Sequence, residues 1–185
     1  MKIIGITGTL GAGKGTIVDY LVKEKHFIHY SVRDFLKKIL LSQGREPNRD
    51  NYVILANSLR EQHGPSYIVD CLYEEAKYSG QNAIIESIRT PGEVISLKSK
   101  GSFILFAVDA DPRIRYQRIV TRNSETDRIS FEEFLSNEAR EMQASDPNHQ
   151  NLAACISMAD YMFQNNGTIE ELYAQVEKAL QSMNL

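Results

Sequence analysis

The chain has 185 residues, of which 42% are apolar, a size and content that suit one compact domain with one substantial core. Its net charge is -3 and its pI about 5.8, so no overall basic field exists to hold nucleic acid or an anionic membrane surface. The only two cysteines, Cys71 and Cys155, lie far apart without ligand spacing, which excludes a disulfide framework and suits reduced thiols.

Ile3, Ile4 and Ile6 predict a short β-branched strand that breaks at a glycine-rich loop. Lys14 interrupts this apolar start before a signal-peptide core is complete, and no later stretch approaches the ~20 apolar residues of a membrane span. A soluble cytoplasmic protein is therefore expected. Ile17, Tyr20 and Leu21 recur at helical spacing through Lys25, completing a strand, loop and helix. Phe27 to Val32 reads as a second strand, Phe35 to Leu41 as a helix, and Asp50 to His63 as another that stops at Gly64-Pro65. Ser66 to Tyr78 predicts a further helix closed by Gly80. Ala83 to Ile85 and Phe103 to Val108 are continuous apolar runs, the mark of strands covered on both faces in a parallel sheet. A helix follows from Asp111-Pro112 to about Arg122, then a polar stretch, Asn123 to Arg128, that fits a mobile loop, then a helix from Phe131 to about Gln143. Tyr161 to Phe163 supplies a last strand, and Thr168 opens a closing amphipathic helix carrying Leu172, Val176 and Leu180. Strands alternating with helices predict a layered α/β fold around about five parallel strands.

Chemistry concentrates first in Gly8-Thr9-Leu10-Gly11-Ala12-Gly13-Lys14, which fits the G-x-x-x-x-G-K phosphate loop. Backbone N–H groups must reach phosphate oxygens there without a Cβ in the way, and the following helix adds the positive end of its dipole. Lys14 would neutralise charge between β- and γ-phosphates, so a nucleoside triphosphate is the expected ligand. Gly15 stands where most such loops carry the Mg²⁺-binding hydroxyl, and Thr16 follows one residue later.

Gly13-Lys14-Gly15-Thr16 resembles adenylate kinase and related nucleoside monophosphate kinases, and the resemblance extends over most of the chain. It implies a three-layer P-loop NTPase fold whose core is 1–44, 81–121 and 143–185, with a helical acceptor-binding insert at about 45–80 and a short lid at about 122–142. Ser31-Val32-Arg33-Asp34-Phe35-Leu36-Lys37 is similar to that family's acceptor-phosphate segment, with Arg33 in place of glycine and Lys37 in place of arginine. Glu86-Ser87-Ile88-Arg89 resembles the motif ending its third strand; Glu86, with Thr16, would organise Mg²⁺, and Arg89 would grip the acceptor. Gln117 to Arg122 resembles the helix entering the lid, which makes Arg118 and Arg122 donor-nucleotide contacts on one helical face. A nearer resemblance is to an archaeal group of uncharacterised adenylate-kinase-like proteins, carried by Ile88-Arg89 with Glu93-Val94 and by Phe131-Glu132-Glu133-Phe134 with Arg140-Glu141. The C-terminal Asn165-Asn166-Gly167-Thr168 is similar to the ending of both that archaeal group and dephospho-coenzyme A kinase, in which this loop passes the adenine; the His-Pro and Pro-Leu-Leu signatures of dephospho-coenzyme A kinase are absent.

Together these readings place Gly8, Gly11, Ala12, Gly13, Lys14, Gly15, Thr16, Arg118 and Gly167 at ATP, with Lys14, Glu86, Arg89 and Arg122 in catalysis. Ser31, Arg33, Lys37, Arg60 and Arg89 would face a small nucleotide-like acceptor, and Arg128 and Arg140 would belong to the lid. Arg60, Arg128 and Arg140 fit a solvated or ion-paired surface equally well. Asp34 fits a helix cap as well as a general base, and a hydroxyl acceptor would make either Asp34 or Glu86 that base. Tyr30, Tyr52, Tyr67 and Tyr73 suit a pocket lining or the core, His26, His29, His63 and His149 a surface, and Glu132, Glu133, Glu138 and Glu141 a charged helix face. The acceptor is a nucleoside or deoxynucleoside monophosphate if it presents a phosphate, and a coenzyme precursor if it presents a hydroxyl. A module that hydrolyses ATP to signal to a protein is the reading from another class.

Overall fold

A computed structural model of the protein describes residues 1–122, 129–143 and 145–185. Arg128 and the rest of the Asn123 to Arg128 stretch lie outside the described residues.

The core is a fully parallel sheet of five strands among the described residues: β1 (Ile3–Gly8), β2 (Ile28–Ser31), β3 (Ala83–Glu86), β4 (Phe103–Asp109) and β5 (Tyr161–Gln164). Their spatial order is β2-β3-β1-β4-β5, so β1 is central and pairs Ile3 with both Ala83 and Phe103. Period-two alternation divides the side chains between two faces. Ile4, Ile6, Ile84, Phe106 and Val108 pack under α1 (Lys14–Lys25) and α9 (Ile169–Ser182). Ile3, Ala83, Ile85 and Leu105 pack on the opposite side under α2 (Val32–Ser42), α3 (Arg49–His63), α4 (Tyr67–Ser79) and α5 (Pro91–Ser99). Because both faces are covered, the strands read as unbroken apolar runs, and the expected three-layer α/β architecture is the one observed. Gly5 is required at the middle of β1: a Cβ there would come within 2.5 Å of both Ile88 Cδ1 and the Phe103 ring.

Three features depart from the pattern reading. Val32, expected in the second strand, is the first residue of α2, because Ser31 ends the strand and caps the helix by accepting from Asp34 N at 3.1 Å. That bond also gives the Asp34 backbone a capping role. Helix α5 is absent from the periodicity reading, yet it has a full capping box in which Thr90 and Glu93 satisfy each other's backbone N–H groups. Helix α8 (Leu152–Ser157) is too short for a periodic signal. α4 contributes Ile68, Val69, Leu72 and Ala76 to the central core. The remaining helices, α6 (Pro112–Arg122) and α7 (Phe131–Met142), lead to and from the undescribed stretch.

Candidate functional site

All strand C-termini face one end of the sheet, where β1 and β3 run out into the glycine loop and Glu86. A cleft of about 700 Å³ opens there, at the position where parallel α/β sheets bind ligands. It brings together Gly11, Gly13, Lys14, Gly15, Thr16, Ser31, Arg33, Arg60, Glu86, Arg89, Arg118, Arg122 and Gly167, from segments as distant as 11 and 167. Lys37 is not there: with Asp34 it lines a separate hollow between α2 and α4. Arg140 is exposed and donates to Asn137 Oδ1 within its own helix at 3.2 Å.

Gly13 precedes α1 with φ 108°, a left-handed conformation that favours glycine, and no side chain caps the helix. The helix start, where Gly13 O takes the Thr16 and Ile17 N–H groups, is thus left without a side-chain cap and borders the cleft. A Cβ on Gly13 would collide with Asn165 Nδ2, and that amide donates to Ala12 O at 2.8 Å, tying the β5–α9 loop to the phosphate loop. Asn165 Oδ1 accepts from Arg118 Nη2 at 3.4 Å. Gly167 is confined as well, since a Cβ there would strike the Glu171 carboxylate that caps α9.

Lys14 Nζ turns back to donate to Gly8 O and Thr9 O, each at 2.9 Å, which occupies two of its three donors. Burial, and after it the nearby Arg89 guanidinium, push its pKa down from 10.5 to about 8. Between pH 8 and 10.5 the unfolded chain therefore binds the proton that the folded chain has lost, so this group makes the protein more stable as pH rises through that window. Ligand binding has the opposite slope, because a phosphate needs the charged ammonium. We expect ADP binding at pH 8.5 to take up protons, visible by calorimetry in buffers of different ionisation enthalpy, and uptake to vanish in Lys14→Ala. Equal uptake in both proteins would remove Lys14 from the phosphate site.

Glu86 ends β3 beside Lys14. Burial alone would raise its pKa, but the hydrogen bond from His29, with Nε2 at 3.4 Å, and the Lys14 charge outweigh it and hold the carboxyl below its ordinary 4.5. His29 is exposed, as the sequence reading expects, and still reaches Glu86 because β2 lies next to β3. An ionised Glu86 and the Thr16 hydroxyl border the same cleft, and among the described residues no cluster of three His, Cys, Asp or Glu could hold a metal by itself. That donor set fits Mg²⁺, which takes one or two protein oxygens and completes its shell with phosphate and water.

The cleft is also lined by several arginines, of which Arg60 is buried, Arg49 and Arg89 are half-buried and Arg33 is exposed. Arg33 lies over the Tyr52 ring, 5.3 Å from its centroid, and both border the cleft. Arg60 is 2% exposed and donates through Nε (3.1 Å) and Nη2 (2.8 Å) to Glu93 Oε1, while its buried Nη1 has no partner among the described residues. The other Glu93 oxygen accepts from Arg89 N at 2.7 Å, so one carboxylate positions two arginines. Arg49 Nε and Arg118 Nη1 are likewise buried and unpaired among the described residues. Orphaned guanidinium N–H groups around a cleft are costly in isolation and suit an anionic ligand.

Sequence reasoning missed Arg49, Arg115, Glu138 and Glu141. Arg115 is 2% exposed; it donates to Ala110 O (2.7 Å) and Leu10 O (3.3 Å) and pairs with Glu138, fastening the phosphate loop to α6 and α7. Glu138 and Glu141 are therefore not part of a solvated face. They follow Phe134 at i+4 and i+7, so they share its inward side, a periodicity that would have identified them.

A model of the AAA domain family matches residues 4–146. A UPF0200 protein from Methanococcus vannielii is 35% identical over 187 aligned positions, which cover 100% of this chain and 94% of that protein. The chain belongs to the UPF0200 family. Another UPF0200 protein, from Thermococcus kodakarensis, is 28% identical over 95% of each chain. The fold of this UPF0200 chain is also that of solved small-molecule kinases. A shikimate kinase from Bacteroides thetaiotaomicron superposes with TM-score 0.60 at 13% identity, covering 100% of this chain and 99% of the other. A gluconokinase from Sinorhizobium meliloti does so with TM-score 0.59 at 10% identity, covering 98% and 93%. The P-loop kinase fold inferred from sequence is thereby established, and the archaeal resemblance is met by the UPF0200 relatives. No helix among the described residues is long and apolar enough to cross a membrane.

Proposed function

We propose that this UPF0200 protein is an ATP- and Mg²⁺-dependent phosphotransferase that acts on a nucleotide-like acceptor, with a nucleoside or deoxynucleoside monophosphate as the favoured class. The observation that carries this reading is the convergence of Lys14, an ionised Glu86 and Arg89 at one end of a cleft whose other walls hold Arg33 and Arg60. Phosphoryl transfer needs positioning and charge neutralisation more than covalent chemistry, and these residue types provide both.

ATP with Mg²⁺ supplies the transferable phosphoryl group and the Lewis acid. Lys14 neutralises the donor's charge, Glu86 and Thr16 hold the metal side, and the α1 start faces the phosphates. Arg118 and Gly167 border the nucleoside end, while Arg33, Arg60 and Arg89 orient the acceptor. Arg122, on the cleft wall, would follow the lid. Lys37 has no part in this reading, because it borders another hollow.

Glu86 supports a second reading, transfer to a hydroxyl, since an ionised carboxylate beside His29 can accept the proton an alcohol must lose. Asp34 does not share that role, because it lies away from the cleft. The test is ADP release from ATP and Mg²⁺ with each common ribo- and deoxynucleoside monophosphate and with dephospho-coenzyme A, against a control without acceptor. Stimulation by a monophosphate supports the first reading, and stimulation by dephospho-coenzyme A alone moves it to the second. A uniform slow background would favour an ATP-hydrolysing regulatory module. With an active acceptor, Arg89→Ala should raise the acceptor KM about 10- to 100-fold with little change in the KM for ATP; an unchanged acceptor KM would remove Arg89 from that subsite.

A further inference from the structure

Glu141 lies near the end of α7, its side chain only 8% exposed, and joins two arginines from different elements. One oxygen pairs with Arg49 at the start of α3; the other accepts from Arg89 Nη1 at 2.8 Å. Burial would raise the Glu141 pKa, but both guanidinium groups hold it below its ordinary 4.5, so the carboxylate is ionised. It also lies close enough to Lys14 to influence its charge. A side-chain anion therefore sits between the phosphate loop and the acceptor wall.

The arrangement leaves a deficit. Two carboxylate oxygens each take one N–H, from Arg49 Nη2 and Arg89 Nη1, while the buried Arg49 Nε remains unpaired among the described residues. Arg89 Nη1 turns additionally to Gln150 Oε1 at 3.0 Å. A tetrahedral oxyanion presents more oxygens than a carboxylate and can engage a guanidinium through two parallel N–H groups. An exposed Glu on a helix face has no need of this site, since an ion pair in water contributes little.

We propose that the Glu141 carboxylate stands in for a phosphate group of the acceptor, that Arg49 and Arg89 form the subsite for that phosphate, and that acceptor binding displaces Glu141 and releases the end of α7. This inference rests on the acceptor half of the reading above and deepens it: the acceptor carries a phosphate that is held but not itself required to be the reacting group. It also ties acceptor binding to α7, whose end stays held until the two anions have exchanged places. The apparent affinity for phosphate is reduced in the wild type by the fraction of molecules with Glu141 in place.

Inorganic phosphate is the probe, titrated calorimetrically with the donor site filled by ADP, alongside hydrogen exchange of residues 131–142. Glu141→Gln should bind phosphate about tenfold more tightly than the wild type, and adding Arg49→Ala should abolish that gain. Saturating phosphate should raise α7 exchange in the wild type, while in Glu141→Gln exchange should already be high without it. Unchanged or weaker phosphate binding by Glu141→Gln overturns the proposal. So does tighter binding with no change in wild-type α7 exchange, which would reduce Glu141 to a background charge. Tighter binding and α7 release without any phosphoryl transfer would leave this subsite standing and sink the kinase reading, so the two failures are distinguishable.

Discussion

Replacing Lys14 with alanine is expected to lower phosphoryl transfer about a thousandfold or more, the scale of removing a preorganised charge from a site where negative charge is concentrated. The structure also indicates what should not happen. Lys14 is half-buried against its own loop with its pKa depressed to about 8, so the ammonium carries a desolvation cost in the ligand-free protein, offset partly by its bonds to Gly8 O and Thr9 O. The alanine variant should therefore unfold at a temperature close to that of the wild type without nucleotide, and lose the rise in unfolding temperature that ATP gives the wild type. Transfer within tenfold of the wild type would sink the assignment of the loop to catalysis, whatever the thermal data showed.

Arg60→Ala should be the most destabilising of the single substitutions, costing about 3–5 kcal/mol in urea denaturation, because it strands the Glu93 carboxylate in the core. Arg60 and Glu93 have side-chain exposures of 2% and 0%, and Glu93 additionally accepts from the backbone of Arg89 and Thr90. Those two acceptor bonds also suit a glutamine, so Arg60→Met combined with Glu93→Gln should recover a substantial part of the loss. The double-mutant cycle isolates the coupling between the pair. A single-variant loss under about 1 kcal/mol would mean that water reaches the pair and that it is not the buried fixture the geometry describes. The same contacts join two parts of the cleft: Glu93 fixes Arg60 with one oxygen and the Arg89 backbone with the other, so the wall that we propose faces the acceptor is held as one unit.

Sequence names Arg60 as an acceptor-side candidate but shows neither its burial nor its partner, and it does not single out Arg115 at all. Arg60 sits on the face of α3 with Leu55 and Ala56 buried alongside it, where periodicity marks a position as inward but not what it meets. Its partner is 33 residues away on a helix, α5, whose apolar signal is too weak to announce itself. Arg115 has no motif at all, and its importance comes from Leu10 O, 105 residues earlier. Glu138 and Glu141 were misread as solvated because charge normally marks the outside of a helix, whereas here buried arginines draw it in.

What the sequence alone determined is local and periodic. Unbroken apolar runs at Ile3, Ala83 and Phe103 require a buried parallel sheet, and Gly8 to Lys14 carries its backbone geometry and its chemistry in seven consecutive residues. Such features are legible because each depends on neighbours within a few positions, a strand's pleat or a helix's first turn. The tertiary structure alone decided the strand order, which sets β3 beside β1 and so places Glu86 and Arg89 next to Lys14. It alone separated Lys37 from Arg33, four residues away on the same helix, into different hollows. It also decided which charges are neutralised, pairing Arg49 and Arg89 with Glu141 and Arg60 with Glu93. Charge pairing is settled by distance in space and by the loss of water around the pair, and neither quantity exists until the chain has folded.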